Sequence, residues 1–412
     1  MKILIWHGYL LGGTGSNVYT RSLAREWSRC GYEVTVFCQE PHPDRYDLAG
    51  ARVVRPEIGP ILPVFVLDRY EDVKSKLLQD TTPAERERVV EANARAMREH
   101  VPADFILVNH VLLGAPVGVQ VGEQFALKAH GSELEFSIRG NDELTRWARV
   151  TLAGASEVYV GSEHVRCALA DVIGPGPHTR RVQIVPPGVD VELFCPQPRD
   201  QALAALIDES HRDPPSRSER EPDRGNAERF TAFFADGAPT VIFVGKLSRE
   251  KGVHLLIEAV RRVGVRAVVV GFGEEREVLG QQAAGMPVLF CGPLGHRHLA
   301  RLLPLADVAV TPSIFPEAFG MVAAEAAASG VPPLVARHSG LVAIAEGLEA
   351  EYPPGYGRLA SFETGSITDL AAKLEEVLAL PPQMRSQLGA AARRAAVCRW
   401  SWRQVGERLL AR

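Results

Sequence analysis

The sequence predicts an α/β protein with two doubly wound, parallel-sheet domains. The chain has 412 residues, more than one ordinary hydrophobic core supports. Both halves alternate short apolar runs with amphipathic, helix-like runs. The apolar runs are rich in Val and Ile and lack polar alternation, as expected of strands buried on both faces. Strands that alternate with helices along a chain are typical of parallel sheets covered by helices.

The first half predicts an N-terminal domain over residues 1–195. Its predicted strands lie at 2–6, 33–38, 104–109, 124–130, 157–162 and 181–185. The helix-like run at 16–31 ends in a glycine, and the run at 162–174 opens with a serine. Both residue types are common at the corresponding ends of helices.

The second half repeats the architecture and predicts a C-terminal domain over residues 239–395. Its predicted strands lie at 239–245, 266–271, 287–292, 307–313 and 331–336. Helices are predicted at 251–263, 274–284, 296–304 and 320–329, followed by helical runs at 366–380 and 381–412.

The segment between the domains, residues 196–238, predicts a charged insertion or linker. Positions 199–229 hold eight acidic residues and six arginines, with prolines at 214, 215 and 222. A composition of this kind is poor in core-forming side chains. We therefore expect the segment to be exposed.

Composition narrows the function classes. The net charge of −4 argues against nucleic acid as the main partner. No apolar run reaches the ~18 residues of a membrane span, and the start of the chain lacks a signal-peptide layout, so we expect a cytoplasmic protein without membrane insertion. The cysteines form no Cys-x-x-Cys pair that would suggest a metal or redox site.

A glycine-rich turn follows the first strand. Gly12 and Gly13 lie in the stretch 8–20, where a strand gives way to a helix and backbone amides can approach a phosphate or sugar. The stretch fits neither the dinucleotide fingerprint nor a Walker loop. A tight turn without a ligand is the alternative. Two domains of this type are expected to face each other across a cleft that holds the ligand.

Two lysines mark the loop after the first strand of the second domain. Only 7 of the 46 basic residues are lysines, and Lys246 and Lys251 lie five positions apart in this loop. Cations at the end of a parallel strand suit a diphosphate leaving group. The alternative is a pair of solvated surface lysines.

Two glutamates stand in the stretch "PEAFGMVAAEAAASG" at 316–330. Glu317 is predicted on a loop, and Glu325 lies inside a helix that begins near Gly320. The amides of Phe319, Gly320 and Met321 would form an anion site at the start of this helix. The two carboxylates would flank a diphosphate there, and each would accept hydrogen bonds from sugar or ribose hydroxyls. A helix cap and a surface glutamate are the alternative.

The stretch "KAHGSELEF" at 128–136 holds a candidate histidine. His130 follows a strand of the first domain and is expected to face the cleft. A structural role is the alternative for a lone histidine. Glu133 and Glu135 are expected on a polar surface.

Three stretches together resemble a known family. "VGKLSREKGVHLLIEA", "VPPGVDVELFCP" and "PEAFGMVAAEAAASG", in this order, are similar to family-4 retaining glycosyltransferases of the GT-B fold. The likeness covers essentially the whole chain, and the two glutamates eight apart are its most specific part. Two departures are Lys246, where the family usually has arginine, and "PGVD", where it usually has Asn-Gly-Val-Asp.

The resemblance implies roles in the second domain. Glu317 would contact the hydroxyls of the donor sugar, and Glu325 would bind the ribose. Lys246 and Lys251 would contact the donor diphosphate. The resemblance further implies that backbone amides hold the phosphate and sugar, namely those of Phe319, Gly320, Met321 and Val322. It also implies that the backbone around Leu294 binds the base.

The resemblance also implies roles in the first domain. Gly12 and Gly13 would lie beside the diphosphate, and His130 would lie near the transferred sugar. The final helix, residues 396–412 with Trp400 and Trp402, would cross back onto the first domain. His130, Lys251 and Glu317 are the implied catalytic residues.

The sequence thus predicts a retaining glycosyltransferase that needs no metal or other cofactor. Its donor would be a nucleotide-diphosphate sugar, taken as a UDP-sugar because these are frequent in the family. Its acceptor would be a small molecule or glycan, expected to be soluble because the segment 67–80 carries acidic as well as basic residues. A sugar-nucleotide epimerase and a non-catalytic binding module remain alternatives, and the oligomeric state is open.

Overall fold

The computed structural model describes residues 1–13, 15–65, 73–213, 218 and 220–411. These residues form two compact units. The N-terminal unit comprises Met1–Gly188 and Trp402–Arg412, and the C-terminal unit comprises Val189–Ser401. The sequence-based boundary at residue 195 therefore lies a few positions beyond the division that the contacts give.

The N-terminal unit contains a parallel sheet covered by helices. Its strands are β1 (Lys2–Trp6), β2 (Glu33–Phe37), β3 (Arg52–Val54), β4 (Leu62–Val64), β5 (Ser75–Leu77), β6 (Phe105–Asn109), β7 (Ala126–Lys128), β8 (Glu157–Val160) and β9 (Val182–Ile184). Its first helices are α1 (Gly15–Arg29), α2 (Pro83–Arg98), α3 (Gly114–Val121), α4 (Asp142–Leu152) and α5 (Glu163–Ile173). The main sheet has the order β3-β2-β1-β6-β7-β8-β9, while β4 and β5 pair separately.

Central strand β1 shows why these segments form strands. Ile3, Leu4 and Ile5 are fully buried, because helices cover both faces of the sheet. Ile3 pairs in parallel with Val34 of β2 and Phe105 of β6. The switch in strand order beside β1 places the carboxyl ends of β1 and β6 where ligands bind in open α/β sheets.

The C-terminal unit holds a second parallel sheet, in the order β12-β11-β10-β13-β14-β15. Its strands are β10 (Thr240–Val244), β11 (Arg266–Val270), β12 (Val288–Phe290), β13 (Val308–Thr311), β14 (Pro333–Ala336) and β15 (Ser361–Phe362). Its helices are α6 (Arg199–Ser210), α7 (Asn226–Phe234), α8 (Val253–Val263), α9 (Arg276–Gln282), α10 (His296–Leu302), α11 (Met321–Ala328), α12 (Leu341–Glu349), α13 (Ile367–Ala379) and α14 (Pro382–Ala395).

Helices α6 and α7 correct the prediction of an exposed linker over 196–238. Ala202 and Leu206 of α6 and Phe230 of α7 are fully buried in the core of the C-terminal unit. The composition of the segment hid a helical pattern, since its apolar residues recur every four positions and share one helix face. Residues 214–217 and 219, including two of the prolines, lie outside the described residues.

The last helical run, predicted as continuous over 381–412, is interrupted at Ser401. Trp400 belongs to the C-terminal unit, where it packs against Phe319 with ring centroids 6.0 Å apart. The final helix, α15 (Trp402–Leu410), belongs to the N-terminal unit. There Trp402 contacts Tyr19, with ring centroids 5.4 Å apart. The two tryptophans thus stabilise different units.

Within the described part of the chain, the helices are too short or too polar to cross a membrane.

Candidate functional site

A lysine–glutamate ion pair lies at the carboxyl end of the C-terminal sheet. The Lys251 ammonium contacts Oε1 of Glu317, and the Ser313 hydroxyl donates to the same oxygen over 2.8 Å. The side chains of Lys251 and Glu317 are 34% and 19% exposed, so a ligand can reach them. The predicted loop residues Lys251 and Glu317 are therefore brought together by the fold.

Close backbone packing holds this pair in place. Gly252 has φ +68°, and a Cβ there would lie 2.0 Å from the carbonyl oxygen of Pro312. The Ile314 amide also donates to the Glu250 carbonyl over 2.8 Å. Since only glycine allows this approach, Gly252 fixes the lysine loop against the loop that follows β13.

Lys246 lies in a different setting from Lys251. Its side chain is 58% exposed and forms an ion pair with Glu274 over 3.4 Å. The next residue, Leu247, donates its amide to the Phe272 carbonyl over 2.8 Å. Lys246 is therefore an exposed cation beside the loop after β11, and exposed ion pairs of this type contribute little to stability.

Helix α11 begins next to Glu317. Gly320 has φ +113°, and the first intrahelical bond runs from the Ala324 amide to the Gly320 carbonyl over 3.2 Å. The amides of Met321 and Val322 precede that bond at the positive end of the helix dipole, which suits an anion. Phe319 is buried and anchors the helix start in the core.

Glu325 lies inside α11, as predicted. Its side chain is buried among small residues, and burial raises the pKa of Glu325 to about 8. Nε2 of His296 lies 3.6 Å from its Oε1, and the His296 side chain is 42% exposed. A buried carboxyl beside an accessible histidine can accept hydrogen bonds from a ligand once it has lost its proton.

Leu294, the predicted base contact, lies after β12 and packs, partly buried, against the core of the C-terminal unit. Its assignment to the base stays a prediction.

The sequence analysis did not identify the residues that hold the backbone of Glu317 in place, which are Ser339 and Gly340. The Ser339 hydroxyl accepts a hydrogen bond of 2.9 Å from the Glu317 amide. The Gly340 amide donates a hydrogen bond of 2.9 Å to the Glu317 carbonyl. A Cβ on Gly340 would lie 2.6 Å from that carbonyl oxygen. The available signal was the polar "RHSG" stretch directly after the predicted strand at 331–336.

His130 lies in a cluster of three histidines in the N-terminal unit. The His130 ring is 4.8 Å from the His110 ring, which stacks on His7 at 5.8 Å. Nε2 of His130 donates to Asn109 Oδ1 over 2.7 Å, because the amide nitrogen of Asn109 already donates to the Trp6 carbonyl. This assignment leaves Nδ1 of His130 as an acceptor.

Burial keeps two members of this cluster, His130 and His7, neutral. Burial, followed by the influence of His110, lowers the pKa of His130 well below its usual value and that of His7 to about 3. Lys128, which donates to the Val185 carbonyl over 2.5 Å, has its pKa lowered to about 7 by burial. At neutral pH, His130 therefore acts as a neutral hydrogen-bonding group rather than as a cation.

Glu133 corrects the prediction of a polar-surface residue, whereas Glu135 is exposed as expected. The Glu133 side chain is fully buried and accepts from the amides of His130 and Val111, each over 3.3 Å. His110 Nδ1 lies 3.3 Å from its other oxygen. Burial alone would raise the pKa of Glu133, but the charge and hydrogen bond of His110, with the backbone amides, lower it overall.

The predicted glycine loop also lies in the N-terminal unit. A Cβ on Gly12 would lie 2.3 Å from the Tyr46 hydroxyl, and Gly13 has φ +89°. The side-chain amide nitrogen of Asn17 donates to the Gly12 carbonyl. The side-chain oxygen of Asn17 accepts a hydrogen bond of 2.8 Å from His7 Nε2. Thr14, within the predicted stretch, lies outside the described residues. The loop is thus joined to the histidine cluster through Asn17.

Among the residues that the structure describes, no group of three or more His, Cys, Asp or Glu side chains has the arrangement of a metal site.

Comparison with known proteins gives matches over both units. Residues 226–395 match the family model described as "Glycosyl transferases group 1", and residues 14–188 match that described as "Glycosyl transferase 4-like domain". The "D-inositol 3-phosphate glycosyltransferase" of Nocardiopsis dassonvillei is 27% identical over 438 residues, covering 96% of this chain and 88% of the relative.

Solved structures match over nearly the full length. HepE of Anabaena, in complex with UDP, has a TM-score of 0.68 and 18% identity and covers 99% of this chain and 98% of its own. Sucrose-phosphate synthase of Thermosynechococcus elongatus has a TM-score of 0.67 and 21% identity and covers 99% of this chain and 97% of its own. At these identities the likeness establishes the fold, and the predicted GT-B class is confirmed.

Proposed function

The chain belongs to the glycosyltransferases that join a 4-like domain to a group 1 domain, and from that premise we propose a reaction. We propose that it transfers a sugar, with retention of configuration and without a metal, from a UDP-sugar to a soluble acceptor. The observation that carries this proposal is the Lys251–Glu317 pair beside the start of α11.

The arrangement suits a diphosphate leaving group. Negative charge grows on the diphosphate as the bond between the sugar and its phosphate breaks. Lys251 and the amides of Met321 and Val322 supply fixed positive charge at one place, and Lys246 adds an exposed cation five positions before Lys251 in the same loop. These groups do the work that a divalent ion does in other transferases, which is why we propose that none is required.

Glu317 is suited to hold the donor sugar. Lys251 and Ser313 both engage its Oε1, and Oε2 is the atom that we assign to the sugar hydroxyls. We assign the paired hydroxyls of the ribose to Glu325. Carboxylates accept hydrogen bonds from such paired hydroxyls and repel phosphate. Both glutamates therefore favour a sugar ring over the diphosphate at their positions.

Retention follows if the acceptor attacks the face that the diphosphate leaves. The bond from the sugar's anomeric carbon to the phosphate oxygen breaks, and the acceptor oxygen bonds the same carbon. The acceptor proton passes to the departing diphosphate, so no enzyme nucleophile is needed. Neutral His130 would accept a hydrogen bond from the transferred sugar through Nδ1.

The names of similar proteins guide the choice of substrates. HepE binds UDP, and the Nocardiopsis relative is named for transfer to D-inositol 3-phosphate. For this chain, UDP-sugars are the first donors to test, and a phosphorylated cyclitol is the first acceptor. Both are small molecules, consistent with the expectation of a soluble, cytoplasmic reaction.

The test is a proton NMR time course with purified protein, an α-linked UDP-sugar, the acceptor and excess EDTA. We expect UDP and an α-linked product to appear only when the acceptor is present. An isomerised UDP-sugar without acceptor would indicate an epimerase, and tight binding without turnover under any acceptor would indicate a binding module. Dependence on an added divalent ion would contradict the metal-free mechanism.

A further inference from the structure

The turn that joins β14 to α12 contains a serine with a strained backbone. Ser339 has φ +47°, in the left-handed region that side chains disfavour and that glycine adopts freely. The neighbouring Gly340 has an ordinary φ of −66°, so the strain falls on the serine. Strained residues of this kind cluster at functional sites, where the surrounding structure holds them in place. The Ser339 side chain therefore contributes something that a glycine would not.

The Ser339 hydroxyl joins the backbone of Glu317 to the ring of His338. Its oxygen accepts a hydrogen bond of 2.9 Å from the Glu317 amide and lies 3.0 Å from Nδ1 of His338. A hydroxyl has one proton and two lone pairs, so it can accept from Glu317 and donate to His338 at the same time.

The other ring nitrogen of His338 sets the direction of these bonds. Nε2 lies 2.7 Å from the carbonyl oxygen of Ser313. Because a carbonyl only accepts, Nε2 carries the proton, and Nδ1 of the neutral ring is left as an acceptor. The Ser339 hydroxyl therefore donates to Nδ1.

These bonds close a ring around Glu317. Ser313, whose carbonyl accepts from His338, is itself buried and donates its hydroxyl to Oε1 of Glu317 over 2.8 Å. One network thus holds both the backbone amide and the carboxylate of Glu317. Since Lys251 also engages Oε1, the network fixes the direction in which Oε2, the oxygen assigned to the sugar, points.

Resting on the proposed function, in which Glu317 holds the donor sugar, we propose that Ser339 and His338 are positioning residues for Glu317. Glycine would fit the turn with less strain, but it lacks the hydroxyl that links Glu317 to His338. Neither Ser339 nor His338 is assigned a contact with the substrate. Both act through the orientation of the Glu317 carboxylate, and small displacements of such a group reduce the rate strongly.

The experiment compares Ser339→Gly with Ser339→Ala. Both variants lose the hydroxyl, but only glycine relieves the strained φ, so Ser339→Gly should melt at a higher temperature than Ser339→Ala. We expect both to weaken UDP-sugar binding in calorimetry and to lower kcat by about tenfold or more. UDP, which lacks the sugar, should bind both variants as it binds the wild type. A role in stability alone would instead leave Ser339→Gly less impaired than Ser339→Ala.

A double variant tests whether Ser339 acts through Glu317. In the Glu317→Ala protein, Ser339→Ala should cause no further loss of UDP-sugar affinity, because the carboxylate that it orients is gone. His338→Asn, whose Oδ1 can accept in place of Nδ1, should keep more activity than His338→Ala. Arg337→Gln is the control in the same turn. It removes an exposed side chain that pairs with Glu349, and it should keep wild-type kinetics.

Two results would overturn the positioning role while the proposed function stands. One is normal UDP-sugar binding and kcat in both Ser339 variants, and the other is a double variant in which the two losses of affinity add fully. A wild-type protein that neither binds nor turns over a UDP-sugar would instead contradict the proposed function, and with it the role assigned to Glu317.

Discussion

Glu325→Gln should stabilise the ligand-free protein at alkaline pH while weakening donor binding. Burial raises the pKa of Glu325 from 4.5 to about 8. The folded protein therefore holds a proton that the unfolded chain has already lost between these pH values. Under proton linkage, the free energy of unfolding falls as pH rises through this window.

The magnitude follows from the shift. At 1.36 kcal/mol per pH unit, the ionisation of Glu325 removes roughly 5 kcal/mol across the whole window and roughly 2 kcal/mol between pH 6 and pH 8. Glutamine does not titrate, so the variant escapes this loss. Titrating groups that do not contact Glu325 act equally on both proteins and cancel in the difference.

The assay is chemical denaturation of wild-type protein and Glu325→Gln at pH 6 and pH 8. We expect the stability difference to shift in favour of the glutamine variant by roughly 2 kcal/mol over this interval. UDP affinity of the wild type should also rise about fivefold from pH 7 to pH 8, as the carboxylate fraction rises, and stay flat in the variant. A stability difference that does not change with pH would refute the reasoning.

Three further outcomes test other parts of the account. Glu317→Ala should leave UDP affinity nearly unchanged but weaken UDP-sugar binding, both measured by calorimetry, because its assigned partner is the sugar. Glu133→Gln should lower kcat about tenfold or more at unchanged melting temperature, since it loses charge and an acceptor beside His110 and His130; a normal kcat with unchanged histidine NMR signals would contradict a positioning role. Phe230→Ala should cost about 3–5 kcal/mol in chemical denaturation, because its side chain is fully buried; a negligible cost would restore the exposed-linker prediction.

Buried parallel strands were predictable because they leave contiguous apolar runs. Residues 2–6 and 240–244 illustrate this, since both strands are covered by helices and need no polar face. The start of α11 near Gly320 was predictable for a similar reason, as a glycine follows a loop and precedes a run of small residues.

Helices with polar sequences were harder to find. Helix α2 was not predicted, although Thr82 and Glu85 form a capping box and Pro83 occupies the first helical position. Helices α6 and α7 were not predicted because the prediction for their segment relied on its high content of charged residues and proline. The apolar residues spaced four positions apart indicated the helices. Local start signals and spacing were therefore more informative than composition.

Contacts in the site between loops that are distant in the sequence could not be predicted from sequence patterns. The contact between Ser339 and Glu317 spans 22 positions and depends on how two loops pack. The burial of Glu133 likewise depends on the loops after β6 and β7 lying side by side. Periodicity reports only local structure, so such contacts require the fold.

The central claim is that fixed cations stabilise the departing diphosphate, and steady-state kinetics of Lys251→Ala test it most directly. Cations that act on charge developing in the transition state raise the rate more than the affinity. We expect kcat to fall on the order of 10²–10³-fold with a smaller change in KM. Lys246→Arg, which keeps the charge, should retain most activity, and both variants should melt like the wild type. A Lys251→Ala protein with near-normal kcat would contradict the leaving-group role and with it the mechanism proposed for this glycosyltransferase.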